Sequence, residues 1–326
     1  MASPNATFTE LVSTTWRKHR KEITDNVSKH NALLRRIKSK GNTRTEDGGL
    51  TIVEPLDYAE NNTYQRYSGY DVLNIGASDV ISAAEYAWKQ IAINVVASGL
   101  EMRQNSGDSR IINLVKARMK NAMRTFKNNF PRDLYSDGTL PNQITGLQAL
   151  VADNGQGTIG GINSATWEFW RNKVQDANTP IGGGAGAKIS KDNIEKYMLS
   201  LWIELTRGSD QPDMIVMSNE FYEFFEQSQL SIKRYTDETK ANGGFVSLKY
   251  KSCDVFFDGA SGMPPKHAYF LNTDYLKLVV HKDANLKTLE EVRPYNQDAA
   301  VIPILWQGNL TCSNRQLQGV MIDTTP

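Results

Sequence analysis

The chain has 326 residues, 40% of them hydrophobic, which is enough to bury a real core in one elaborate domain or in two. Its formal net charge of +1 excludes a global field that would pull it toward nucleic acid or membrane. No stretch approaches the roughly 18 apolar residues of a membrane span. The two cysteines, Cys253 and Cys312, lie far apart with no metal-ligand spacing around them. The opening MASPNATFTE lacks a signal-peptide pattern, so the producing cell's cytosol is the expected compartment. The sequons at Asn5, Asn26, Asn61 and Asn309 are then chance matches.

Residues 7–44 form the one strongly basic block, with Arg17, Lys18, Arg20 and Lys21 at its densest point. Phe8, Leu11, Val12, Trp16, Leu33, Leu34 and Ile37 fall only loosely on a helical stripe. That stripe is too thin to close a core. The arm is expected to lie on nucleic acid through its charges or on a neighbouring subunit through its stripe, a solvated basic helix being the alternative.

Residues 48–102 read as a long two-stranded excursion. LTIVEPLDY (50–58) goes out, and 82–102 returns, Ile91, Ile93, Val95 and Ala97 giving the return limb a period of two. A helix competes for 82–92. The segment between the limbs, 60–74, is polar and carries Tyr64, Arg66, Tyr67 and Tyr70. An isolated hairpin of this length is marginal in water, and its edges invite pairing with another chain.

The clearest helix spans 106–130, capped by Ser106 or Asp108. Met119 and Phe126 lie on its apolar face, Lys116, Lys120 and Arg124 on the other, and Pro131 and Gly138 end the region. The stretch 146–171 then alternates turn-forming glycines with apolar runs and closes on Trp167, Phe169 and Trp170, which suit a core or an interface. Next come a glycine-rich loop (178–188), a helix at 190–207, a buried strand at 214–218, and an aromatic helix capped by Ser218 or Asn219. The remainder is strand-rich: 246–252, 255–259, 268–272, 276–282, and 300–306 with 309–312.

No constellation meets the requirements of catalysis. GGGAGAKI (182–189) fails as a phosphate loop because Ala187 replaces the second glycine and Ile189 the hydroxyl residue. The four histidines are scattered, Glu168 has no carboxylate partner for glycoside chemistry, and Ser164 has no glycine elbow. No enzyme activity, cofactor or metal is expected.

Several ordered landmarks resemble the major capsid proteins of tailed bacteriophages, the HK97-like shell family. They are WKQIAINVVASGLEMRQNSG (88–107), GTLPNQITGLQALVADNG (138–155), GGINSATWEFWRN (160–172), DMIVMSNEFYEFFEQ (213–227) and IPILWQGNLTCSNRQLQGVM (302–321), so the resemblance covers about 48–321. It implies an α+β fold with an N-terminal arm (1–46), an extended E-loop (47–102), a peripheral domain with a long spine helix (103–145 and 266–326) and an axial domain (146–265). The implied role is a structural subunit that assembles into the icosahedral head and encloses double-stranded DNA, located in the virion and assembled in the host bacterial cytoplasm.

The implied partners are further copies of the chain in hexamers and pentamers, scaffolding and portal proteins, decoration proteins, and packaged DNA touched without sequence preference. On this reading Tyr64, Arg66, Tyr67 and Tyr70 make intersubunit contacts, and Arg17, Lys18, Arg20 and Lys21 make electrostatic ones. Met119 and Phe126 pack the spine helix against the strands around Ile302 to Trp306. Some relatives carry a long charged scaffolding segment; here only 1–46 precede the loop, so a separate scaffolding protein is expected. No motif picks out a lysine–asparagine cross-link. An encapsulin-like compartment shell shares the fold, and a tail-associated carbohydrate-binding module is the alternative from another class.

Overall fold

The computed structural model describes residues 31–104, 108–229, 248–258 and 262–325, with backbone alone within 102–116. The first element is helix α1 (Ala32–Ser39), whose N-terminus is capped by Asn31, its Oδ1 accepting the Leu34 N–H at 2.9 Å. Strands β1 (Thr43–Glu46), β2 (Thr51–Asp57), β3 (Ile81–Ala87) and β4 (Lys89–Ser98) follow. Residues 82–92, where a helix competed, are therefore extended. Helix α2 (Gly99–Gln104) leads into the long α3 (Asp108–Leu134). At 1.5 Å per residue, α3 spans about 40 Å. It runs through Pro131, where the sequence placed its end; so close to the C-terminus the missing donor removes only one bond of the last turn.

Beyond α3 lie α4 (Leu147–Leu150) and a small hairpin of β5 (Thr158–Ile159) and β6 (Ile162–Asn163). β7 (Lys173–Asp176), α5 (Ile194–Glu204), β8 (Met214–Met217) and α6 (Asn219–Ser228) continue the chain. The remaining strands are β9 (Leu248–Tyr250), β10 (Cys253–Phe257), β11 (His267–Leu271), β12 (Leu276–His281), β13 (Lys287–Thr288), β14 (Ala299–Cys312) and β15 (Gly319–Ile322).

Two larger sheets organise these elements. The six-stranded sheet runs β7-β15-β11-β8-β10-β9. Its central strands read as unbroken apolar runs because both faces are covered. Met214, Val216, Tyr269, Leu271, Val320 and Ile322 face one core; Ile215, Met217, Ala268, Phe270 and Met321 face a second, closed by Met198 and Leu201 of α5 and Phe221 and Phe225 of α6. The five-stranded sheet runs β1-β12-β14-β13, with β4 also paired to β14. Here α1 and α3 supply the cover, Leu33, Ile37, Met119, Phe126 and Phe130 joining Ile302, Ile304 and Trp306 in the first core.

Three sequence expectations change. β14 is one continuous strand through Gln307 and Gly308, where two separate runs were expected. Gly308 permits this because a Cβ there would lie 2.4 Å from the Val279 carbonyl oxygen of β12. β11 and β15 were assigned with the spine helix in 266–326, yet they lie in the sheet of β8: β11 pairs with β8, Tyr269 opposite Val216, and β15 pairs with the other edge of β11, Val320 opposite Tyr269. Finally, residues 31–46 were assigned to an arm seeking an outside partner. They dock on their own chain, with Leu33 and Ile37 fully buried and β1 parallel to β12.

Candidate intersubunit surfaces

β2 and β3 form an antiparallel sheet that has no third strand among the described residues, running from Thr51 opposite Ala87 to Asp57 opposite Ile81. Its inward face is Ile52, Glu54, Leu56, Ala84 and Tyr86, all buried. The Tyr86 hydroxyl donates to the Cys312 carbonyl at 2.8 Å and accepts the Cys312 N–H at 3.3 Å, so a single side chain ties the hairpin to the end of β14. Burial pushes that hydroxyl's pKa far above the ordinary tyrosine value.

The glycine-rich aromatic segment forms the seat of this hairpin. Gly160, in the β5–β6 turn at φ 60°, approaches so closely that a Cβ would lie 2.7 Å from that of Ala84, and its carbonyl accepts the Glu85 N–H at 2.9 Å. Trp170 is buried, its Nε1 donating to Ile159 O at 2.9 Å. Tyr58 stacks on Phe169 and meets Trp167 edge-on, both at 5.7 Å between centroids. Trp170 is thus core, while half-exposed Trp167 props the point where the hairpin leaves the body.

Beyond Tyr58 the tip has no regular structure and is tied by its own polar groups. Asn61 accepts from Thr63, Asp71 from the Ser68 N–H, and Gln65 from the Asn74 N–H while donating to Val72 O. Tyr64, Arg66, Tyr67 and Tyr70 are all exposed there, Tyr70 completely, as are Val72 and Ile75. Exposed apolar groups concentrated on one excursion mark a contact surface more than a solvated loop.

Arg17, Lys18, Arg20 and Lys21 lie outside the described residues. In the described part of the basic block, Arg36 donates through Nε and Nη2 to Asp213 Oδ2 at 2.8 and 2.7 Å. Lys40 lies 3.1 Å from the same carboxylate and 2.7 Å from Asp274. Asp213 also accepts the Thr273 N–H and hydroxyl, each at 2.7 Å. Burial alone would raise its pKa; the Thr273 and Arg36 hydrogen bonds outweigh that and hold it below the usual carboxylate value. Arg36 and Lys40 are therefore engaged inside the chain.

Met119 and Phe126 are buried on α3. Phe126 stacks on Phe130 at 4.9 Å, and Phe130 meets Trp306 of β14 edge-on at 5.0 Å. Lys120 is exposed. A cavity of about 330 Å³ lies beside this contact, walled by Leu34, Ile37, Phe126, Phe130, Leu278 and Trp306.

Sequence reasoning overlooked the buried charges. Glu54 carried a signal, since it occupies the inward phase of β2 between Ile52 and Leu56, where an apolar residue belongs. Arg315, fully buried, donates to Leu150 O at 2.7 Å and Asn172 Oδ1 at 3.0 Å. Nothing local distinguishes it. Among the described residues no cluster of three His, Cys, Asp or Glu side chains could hold a metal ion. Burial pushes the thiols of Cys253 and Cys312 up to about 12, keeping them protonated near neutrality.

Sequence comparison finds no matching family model and no matching characterised protein. Comparison of folds does. The chain of a cyanophage A-1(L) capsid asymmetric unit superposes with a TM-score of 0.60 at 16% identity, covering 87% of this chain and 91% of that one. The capsid of Myoviridae phage XM1 gives 0.53 at 10% identity, over 88% and 91%. The capsid of a native GTA particle gives 0.51 at 11% identity, over 88% and 89%. The fold is α+β and HK97-like, as the sequence resemblance implied.

Proposed function

We propose that this chain is the major capsid subunit of a tailed bacteriophage, assembling into an icosahedral head around double-stranded DNA. The observation that carries the reading is the E-loop. It is a paired hairpin firmly seated at its base, with a tip presenting Tyr64, Tyr67, Tyr70, Val72 and Ile75 to solvent, on a fold found in phage capsids. In a closed shell each subunit meets its neighbours through heterologous contacts, which gives such a limb a surface to cover. On this reading the five-stranded sheet and α3 make the peripheral body, and the six-stranded sheet makes the axial one. Arg17, Lys18, Arg20 and Lys21 supply basic charge for scaffolding protein or packaged DNA. Portal and decoration proteins complete the head.

Electron microscopy and size-exclusion chromatography of the expressed chain test this. Rings or megadalton shells are expected, alone or with a co-expressed scaffolding protein. A monomer or trimer under both conditions overturns the reading. Shells that enclose a dedicated cargo enzyme and no DNA replace it with a bacterial compartment.

A further inference from the structure

We infer that Glu54 is a charge latch coupling β1, ahead of the E-loop, to the base of the E-loop itself. Its carboxylate is 1% exposed on β2. Oε1 accepts from the Thr311 hydroxyl of β14 at 3.1 Å and lies 3.2 Å from Arg44 Nη1 of β1. Oε2 accepts from Lys277 Nζ of β12 at 3.1 Å. Arg44 also donates to the neighbouring Val53 carbonyl at 3.3 Å, and to Glu46 on its outer side. One buried carboxylate therefore joins four strands, two of the five-stranded sheet's interior, its edge strand β1, and the limb.

The cost of a buried carboxylate decides what this junction does. Withdrawing one partner leaves charge uncompensated, a penalty larger than the pair's own net contribution. Lys277 and Thr311 belong to β12 and β14, which are held on both sides by the sheet. Arg44 belongs to a four-residue strand at the sheet's edge, joined to β2 through Gly48 and Gly49 at φ 154° and 113°. β1 is thus the member that can leave. When it does, the guanidinium goes with it, and the penalty falls on Glu54 and the seating of β2. A partner that pulls on residues 31–46 loosens the E-loop base without touching the tip. Linkage requires the converse: a partner that fixes the E-loop tightens β1. The coupling is a property of the single chain and does not depend on the shell-forming role.

Hydrogen exchange on the soluble full-length chain tests it. Arg44→Gln should raise exchange across Thr51–Asp57 and Ile81–Ala87 by roughly 5- to 150-fold, the range of ordinary coupling energies. Exchange in β8 and β11 should stay at the wild-type rate. Glu54→Gln should raise exchange at Thr43–Glu46 by a comparable factor, and Glu46→Gln, which removes only Arg44's outer partner, should change neither region. Should Glu54→Gln prevent folding, Arg44→Gln alone decides, since that side chain is 34% exposed and its replacement empties no core volume. Wild-type exchange at the E-loop base in Arg44→Gln overturns the latch. So does an equal rise in β8 and β11, which would mean general destabilisation.

Discussion

In the six-stranded sheet, Met214, Ile215, Val216 and Met217 are all buried although they alternate between faces, because α5 and α6 close one side and the first core the other. In the β2–β3 hairpin only the base is covered: Ile52, Leu56 and Tyr86 point inward, Val53 faces solvent, and beyond Tyr58 the side chains of Tyr64, Tyr67 and Tyr70 are exposed among the described residues. The two regions use similar apolar residues and differ in whether the described residues supply a second layer. A sheet with both layers is complete as a monomer. The two-stranded limb has cover on one face of its base, and among the described residues its outer face and tip are left to solvent.

The largest expected effect separates limb from body outright. Deleting 60–74 should abolish shell assembly while circular dichroism and thermal unfolding of the subunit stay close to wild type, because no deleted side chain enters either core. Particles of normal size from the deletion would break the comparison. A subunit that fails to fold would break it from the other side.

Phe126→Ala probes the body, where the loss should appear as subunit stability. It removes the ring stacked on Phe130 and should cost about 3–5 kcal/mol in urea unfolding of dissociated subunits. Lys120→Ala, one face away, should stay within about 0.5 kcal/mol. Equal small shifts would mean that α3 is not anchored on β14.

Asp213 adds a pH-dependent version of the same test, since it ties α1 to the six-stranded sheet. Its folded pKa lies below the unfolded value of about 3.9, so its contribution is fully present above that value and lost as pH falls through the folded one. Asp213→Asn should therefore be less stable than wild type at neutral pH, with the two unfolding curves converging in acid. A difference unchanged between pH 7 and acid would remove ionisation as the cause.

Much of this was legible locally. The period of two in 91–97, the 3.6-residue repeat leading to Phe126 and Phe130, and the unbroken apolar MIVM each state their own burial. What escaped the sequence was long-range. Nothing in VFFDG or VMI says that β10 and β15 flank the sheet pair of β8 and β11, and the stripe of Leu33, Leu34 and Ile37 looks thin until β12 and α3 are beside it. Gly308 looked like a break in β14 because its reason, the Val279 carbonyl, lies on another strand. Of the candidate contact residues, the exposed tyrosines could be read from polarity and turn content. Glu54 could have been found by asking why a carboxylate stands in an inward phase.

Tyr70→Ala should give the smallest change in stability and so sharpen the contrast most. Its ring is fully exposed, so truncation removes no buried area and leaves no cavity; subunit stability should stay within about 0.5 kcal/mol of wild type. If the tip is covered by a neighbour in the assembled state, the same substitution should lower assembly yield, because an aromatic that fills a pocket at an interface can contribute 2 kcal/mol or more. Phe126→Ala should show the reverse order, with a large loss in the subunit. The test is the pair of measurements on both variants: urea unfolding of dissociated subunits, and the shell fraction by size-exclusion chromatography. A Tyr70→Ala chain that assembles like wild type removes Tyr70 from the contact. One that unfolds as readily as Phe126→Ala would mean the tip packs on its own body, and the distinction between limb and body would fall with it.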